Sequence, residues 1–202
     1  NNRLIVGVHY PLDLMGGRII GEAGLATRWS DEQFRNDKLM PAYQEMQAYM
    51  AKRCVGANIV ARAADDPTTV QNCVTALNAN SADSSKPRGG YTNDFTDDFS
   101  TQPVTNRASA LAAYQARMSY GFKPTSGKAA VVPEGAENLL TTAFPTLNAE
   151  QRRAVLAATE IDSGEPLDAS SNGYQRLNLA AAYSAKVTLS ADGSVVKVEP
   201  RQ

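Results

Sequence analysis

The chain has 202 residues, of which 43% are hydrophobic and 20% are charged, a composition typical of a globular protein with a sizeable core. Its 20 Lys and Arg residues are balanced by 21 Asp and Glu residues, so the formal net charge is −1 at pH 7. No block of one sign stands out along the chain. We therefore expect neither a nucleic acid nor an anionic membrane surface as a partner recruited by bulk charge.

The most apolar part of the chain, residues 4–29, does not have the pattern of a membrane span. Four formal charges interrupt it, namely Asp13, Arg18, Glu22 and Arg28. Each would cost about 3 kcal/mol at the centre of a bilayer. We therefore expect a buried helix of a soluble protein. The first residues lack the basic and apolar regions of a signal peptide, although a mature exported protein would already have lost one.

Helix signals follow one another along the first third of the chain. Pro11 suits the first turn of a helix, which is expected to begin near Tyr10. Ser30 is expected as the N-cap of a second helix, and Pro41 in the first turn of a third. Residues 80–106 are rich in Ser, Asp, Thr, Gly and Pro, and predict a long polar loop. Whether such a loop closes over a site as a lid stays open at this point.

Two cysteines, Cys54 and Cys73, lie in helical segments without a histidine nearby, which excludes a zinc site. Two interpretations remain for them. They form a disulfide, which would close a loop of roughly 20 residues and stabilise the fold by about 3 kcal/mol, or they are reduced core residues. We expect the disulfide, and it would indicate an oxidising compartment.

The second half of the chain is also mostly helical in pattern. Asn148 and Gln151 have the spacing of a capping box at the start of one of these helices. Residues 186–199 alternate in polarity on both sides of an Ala-Asp-Gly turn, which predicts a β-hairpin. The fold class is therefore mainly α with a small C-terminal hairpin. The helical patterns lie at 107–121, 133–144, 147–159 and 172–185.

The only histidine of the chain, His9, lies between Arg3 and Asp13. At a helix start, backbone N–H groups and the helix dipole favour an anion. If the turn after His9 is helical, Asp13 shares its face and accepts one imidazole N–H, which leaves the other nitrogen free to attack. Arg3 supplies a planar guanidinium suited to phosphate oxygens. The spacing predicts a phosphate site, or else a core histidine paired with a carboxylate.

The pattern Arg3-x5-His9-x3-Asp13 resembles the third signature, S-R-x5-H-x3-D, of the type 2 phosphatidic acid phosphatase and vanadium haloperoxidase superfamily. The surrounding GVHYP and GGR resemble its soluble bacterial acid phosphatase members, although Asn2 stands where many members have Ser. The segments VPEGAENLLTTAFPTLNAEQRRAVLAAT, SGEPLD and GYQRLNLAAAYSA resemble the C-terminal extension of secreted members. The resemblance therefore covers both ends of the chain.

This resemblance implies a helical bundle of the acid phosphatase and haloperoxidase type. It implies that His9 is the nucleophile that becomes a phosphohistidine, that Asp13 orients it, and that Arg3 binds the transferring phosphate. No metal is implied, and vanadate is expected as an inhibitor. The resemblance implies that the protein is a secreted or periplasmic phosphatase that acts on phosphate monoesters. Residues 1–30 would end the phosphatase core, and residues 31–202 would form a helical extension.

Two further signatures of the superfamily, K-x6-R-P and P-S-G-H, are not found in this sequence, and KPRGG at 86–90 has the wrong spacing. The second of them supplies the histidine that protonates the leaving group. We therefore expect an upstream N-terminal half of the same precursor to complete the site, either cleaved and associated or simply outside this chain. Glycines 16, 17, 21 and 24 would allow close helix approach, either to that half or within the chain.

Two other functions remain open at this stage. The same scaffold holds vanadate as a cofactor in haloperoxidases, so a vanadate-dependent haloperoxidase is one alternative. A non-catalytic binding or structural protein that keeps a remnant site is the other. The GVHYP-x-D-x-x-GGR match favours the phosphatase. The motif does not indicate the leaving group, so the substrate is predicted only as a phosphate ester.

Overall fold

The computed structural model describes residues 2–56, 107–169 and 173–200. The chain divides into two compact units, one formed by residues 1–32 and 107–202, the other by residues 33–106. As the sequence predicts, the protein is mainly helical and ends in a small antiparallel hairpin. Its fold as a bundle of the phosphatase type, and the division of the chain at residue 30, stay predictions. The polar segment 80–106 lies outside the described residues.

The first unit contains one 20-residue helix, α2 (Pro11–Ser30), and several shorter elements. In chain order they are α1 (Asn2–Ile5), α2 (Pro11–Ser30), α5 (Arg107–Ser119), a 3-10 turn (Ala136–Leu140), α6 (Ala149–Thr159), a second 3-10 turn (Tyr174–Arg176), α7 (Leu179–Tyr183), β1 (Ala185–Leu189) and β2 (Val195–Pro200). Between α2 and α5 come α3 (Glu32–Phe34), a π-helical turn (Arg35–Leu39) and α4 (Met40–Gly56).

Several predicted boundaries are confirmed. Pro11 is the first residue of α2, and Pro41 lies in the first turn of α4. Asn148 caps α6: its side chain accepts from the Gln151 N–H at 2.9 Å, and its own N–H donates to Oε1 of Gln151 at 2.8 Å. The hairpin pairs β1 with β2, and a bulge after Thr188 breaks the regular register.

The prediction that Ser30 caps a new helix is wrong. Ser30 is the last residue of α2, and its hydroxyl donates to the carbonyl of Ala26 at 2.8 Å while accepting from Nδ2 of Asn138 at 3.0 Å. Gly135 lies against it with a φ of +83°, where an added Cβ would approach the Ser30 hydroxyl to 2.8 Å. Of the helix predicted at 133–144, the structure has only a 3-10 turn at 136–140. The left-handed Gly135 stands directly before the start of this turn.

Cys54 lies in the second unit, in the last two turns of α4. It is buried and disulfide-bonded. This agrees with the expected disulfide and not with reduced thiols at this position. Cys73 lies outside the described residues, so its pairing with Cys54 stays a prediction.

Helix α2 is less buried than its sequence suggests. Met15, Glu22 and Ala26 are buried, whereas Ile20 is 74% exposed and Leu25 is 50% exposed. A Cβ added at glycine 17, 21 or 24 would meet no described atom within 4 Å. One face of α2 therefore packs on the first unit, and the glycine face is open within the described part of the chain. No helix of the described ranges has the length and apolar character that a bilayer span needs.

The packed face of α2 is held by one partly buried arginine, whose side chain is 15% exposed. Nη2 of Arg18 donates to the backbone and side-chain oxygens of Gln175, both at 2.8 Å, and Nη1 donates to Glu22 at 3.0 Å. Tyr114 in α5 donates its hydroxyl to the same carboxylate at 3.3 Å. The side-chain amide of Gln175 continues the network to the carbonyl of Met118 at 2.8 Å. These bonds join α2, α5 and the 3-10 turn 174–176.

Replacing Arg18 should therefore destabilise the first unit. Arg18→Met removes the donors and leaves Glu22 as a buried carboxylate without its cation, which should lower the free energy of unfolding by about 3 kcal/mol. The matched control is Lys197→Ala, which removes an exposed ion pair with Glu199 and should cost at most about 1 kcal/mol. Chemical denaturation followed by circular dichroism measures both. Equal effects of the two substitutions would contradict the assigned role of Arg18.

The Arg18 network should also give the protein a specific pH dependence. Burial raises the pKa of Glu22, and the neighbouring Arg18 and the hydrogen bonds from Arg18 and Tyr114 offset only part of this rise. A carboxyl whose pKa is higher in the folded state stabilises the fold while protonated, and this contribution is lost as pH rises through the folded pKa. The stability advantage of wild type over Glu22→Gln should therefore shrink as pH rises above 4.5, the ordinary pKa of Glu. Glu199→Gln, at an exposed site, serves as the control. If the stability advantage of wild type over Glu22→Gln grows with pH, the ion pair with Arg18 stabilises ionised Glu22 by more than burial destabilises it.

Candidate functional site

The candidate site is built by a tight reversal of the chain between α1 and α2. Gly7 has a φ of +73°, a conformation that suits glycine because it has no Cβ. Its N–H donates to the carbonyl of Leu4 at 3.0 Å, and the N–H of Val8 donates to the carbonyl of Arg3 at 3.1 Å. This turn brings Arg3 back beside His9, six residues later in the chain.

The start of α2 holds the acidic member of the site. Tyr10 has an extended backbone, and Pro11 begins the helix after it. Oδ2 of Asp13 accepts from the N–H of Tyr10 at 2.9 Å, and the N–H of Asp13 donates to the carbonyl of Tyr10 at 3.0 Å. The carboxylate of Asp13 is therefore fixed over the first turn of α2, next to His9.

His9 lies between the other two residues. Its Nδ1 is 3.4 Å from Oδ2 of Asp13, and its Nε2 is 2.9 Å from Nη1 of Arg3. A guanidinium only donates hydrogen bonds, so Nε2 accepts from Arg3 and Nδ1 carries the proton that faces Asp13. The imidazole is about one third exposed. The geometry thus favours one tautomer, with the lone pair on Nε2.

The electrostatics of Asp13 agree with this arrangement. The N–H of Tyr10 has the largest effect and lowers the pKa of Asp13; desolvation opposes it, and the hydrogen bond and charge of His9 lower the pKa further. Asp13 is therefore ionised over the ordinary pH range and accepts hydrogen bonds only. Its negative charge also lies at the N-terminus of α2, where the helix dipole favours it.

The structure brings Arg3, His9 and Asp13 together, as the motif predicts, while their catalytic roles stay predictions. One detail differs from the expected geometry. His9 precedes α2 and is not in a helical turn. It meets Asp13 because the carboxylate folds back over the helix start, and not because the two residues are stacked on one helix face. The Gly7 turn and the N–H of Tyr10, which make this possible, were not singled out from the sequence.

Five apolar side chains on the same stretch of chain are exposed, and we refer to them as the apolar rim. It is formed by Ile5, Val6, Val8, Tyr10 and Leu12, which are between 41% and 77% exposed. Exposed apolar side chains that form a contiguous patch mark a surface for contact with another group, so the apolar rim is a candidate for such a surface. The periodicity of the sequence did not predict this exposure, because it indicated a buried segment.

The described residues support neither a metal site nor a second phosphate site in the cavity near the hairpin. Within the described ranges, no group of three or more His, Cys, Asp or Glu residues is placed to hold a metal ion. A cavity of about 310 Å³ lies elsewhere, between the start of α6 and the hairpin turn, with Asn148, Glu150 and Asp192 among its lining residues. Its lining contains no basic residue, so it is not suited to a phosphate.

Comparison of the chain with protein-family models, with curated proteins and with solved structures finds no match.

The tautomer of His9 gives a direct test of this geometry. Because His9 is the only histidine, its ring nitrogens give one pair of imidazole ¹⁵N signals. At a pH where the ring is neutral, we expect the proton on Nδ1, held by Asp13 and by the Arg3 donor on Nε2. Removing both partners in the double variant Arg3→Ala, Asp13→Ala should abolish that preference, whereas Asp31→Ala at the other end of α2 should not change it. A wild-type proton on Nε2 would contradict the geometry.

Proposed function

We propose that this chain carries the nucleophile and part of the phosphate clamp of a phosphomonoesterase. In this proposal the chain has the helical fold of the acid phosphatase and haloperoxidase type, and the reaction proceeds through a phosphohistidine without a metal. The observation that carries the proposal is the position of His9, with Nδ1 toward the carboxylate of Asp13 and Nε2 toward the guanidinium of Arg3.

In the first step, the lone pair on Nε2 of His9 attacks the phosphorus of the ester. The P–N bond forms as the P–O bond to the leaving group breaks, and the departing oxygen keeps the electron pair and takes up a proton. The imidazole becomes positively charged in this step, and the carboxylate of Asp13 stabilises that charge through Nδ1–H. The low pKa of Asp13 keeps the stabilising charge in place.

Arg3 is suited to hold the phosphoryl group during this transfer. Its planar guanidinium offers paired N–H donors that match two phosphate oxygens. In the second step, water attacks phosphorus, the P–N bond breaks, and inorganic phosphate leaves with His9 restored. Such electrostatic clamping accounts for most of the rate in phosphoryl transfer.

The leaving group of an ordinary ester requires a proton donor, and this chain has no second histidine to supply it. We propose that an upstream segment of the same precursor supplies the donor and the rest of the clamp. Two observations support this part of the proposal. The apolar rim is exposed, and the glycine face of α2 is open within the described residues. Both surfaces would be buried by packed helices.

The disulfide at Cys54 supports a location outside the reducing cytosol. We therefore propose a secreted or periplasmic enzyme. The substrate is proposed only as a phosphate monoester, because the residues of the site contact the phosphate and not the leaving group.

The proposal can be tested on the 202-residue chain with an activated aryl phosphate. A nitro-substituted phenolate is a stable anion and leaves without a proton, so phosphorylation of His9 by this ester does not require the missing proton donor. We expect a burst of about one equivalent of phenolate per chain and acid-labile phosphate on His9. His9→Ala should give neither. Arg3→Lys should slow the burst about 100-fold because the two-pronged donor is lost, whereas Arg28→Lys, an exposed control, should not slow it.

The absence of a burst in a folded wild-type chain would reject the proposal. It would favour a non-catalytic protein that keeps a remnant of the site. A burst that persists in His9→Ala would show that another group is the nucleophile.

A further inference from the structure

The hydrogen bond between Arg3 and His9 occupies the atom that the proposed reaction needs. Nη1 of Arg3 donates to Nε2 of His9 at 2.9 Å, so the lone pair of the nucleophile is engaged before any substrate arrives. In the described part of the chain, no carboxylate competes with Nε2 for this guanidinium. The residue that would bind phosphate is therefore also the residue that covers the nucleophile.

We propose that Arg3 masks His9 in the absence of an anion and that a tetrahedral dianion unmasks it. This inference rests on the proposed function, because it concerns the regulation of the same site. A phosphate dianion attracts a guanidinium more strongly than a neutral ring nitrogen does, because both partners are then charged and the guanidinium can bind two oxygens at once. The anion therefore draws Arg3 away from Nε2 as it binds.

The local structure allows Arg3 to make this exchange without moving the rest of the site. Arg3 is exposed and lies in a one-turn helix, α1. His9 has its second contact on the other side of the ring, with Asp13, which is fixed to the N–H of Tyr10. When Arg3 leaves Nε2, the contact between Nδ1 and Oδ2 of Asp13 at 3.4 Å remains. The lone pair is then free and already oriented.

The consequence is a selective nucleophile. An electrophile that carries no anionic oxygens does not attract Arg3 and meets a ring nitrogen whose lone pair is engaged. A phosphate ester brings the charge that releases the same lone pair. The exposed His9 ring, which is about one third accessible, is thereby protected from neutral reagents.

Diethyl pyrocarbonate, a neutral acylating reagent, tests the masking on the full 202-residue chain. His9 is the only histidine, so histidine modification reports on a single ring. Arg3→Ala should be modified about three to ten times faster than wild type, the range that corresponds to the loss of one hydrogen bond. Arg3→Lys should lie between the two. Lys197→Ala, which removes an exposed cation outside the site, should react like wild type.

Sulfate provides the second measurement, because its dianion attracts a guanidinium and has no proton to donate to Nε2. Adding sulfate to wild type should move the Nε2 ¹⁵N signal toward its position in Arg3→Ala, and should leave the signal of Arg3→Ala almost unchanged. Equal acylation rates in wild type and Arg3→Ala would overturn the masking, as would a wild-type signal unaffected by saturating sulfate. Failure of the aryl phosphate burst, with both Arg3 effects present, would overturn the proposed function and leave the masking in place.

Discussion

The position of the His9 imidazole, between a carboxylate and a guanidinium, determines the chemistry that this chain can support. Nδ1 lies 3.4 Å from Asp13, and Nε2 lies 2.9 Å from Arg3. Because Arg3 is an obligate donor, the contact selects the tautomer whose lone pair is on Nε2. The proposed nucleophile, the orienting carboxylate and the phosphate ligand all follow from this one arrangement. The same contact engages the lone pair until an anion arrives.

The site and its support are built in different ways. The site is local: residues 3–13 form it through the Gly7 turn and the first turn of α2. The attachment of α2 is not local, since Arg18 binds Gln175, which is 157 positions away in the chain. Arg18 thereby connects the helix that carries the site to the core of the first unit. The glycine face of α2 and the apolar rim remain exposed in the described part of the chain, which is why we propose an upstream segment as their partner.

Local signals in the sequence were sufficient to predict part of this structure. The start of α2 at Pro11, the Asn148 cap and the terminal hairpin depend on residues within a few positions of one another. The motif also identified the three residues that the fold brings together. Features that depend on distant contacts were not predictable. Ser30 ends α2, accepts a hydrogen bond from Asn138 and does not cap a new helix. Arg18, a surface charge by its type, is largely covered by partners from the other end of the chain.

The central claim is that Nε2 of His9 is the atom that bonds to phosphorus. Its most direct test is a crystal structure of the 202-residue chain with orthovanadate, whose five-coordinate adduct resembles the transition state of phosphoryl transfer. The account predicts vanadium bonded to Nε2, the guanidinium of Arg3 moved from Nε2 onto the vanadate oxygens, and Nδ1 still directed at Asp13. Vanadate bound at another residue would contradict this account. So would a structure at saturating vanadate in which His9 carries no vanadate and Arg3 is still bound to Nε2.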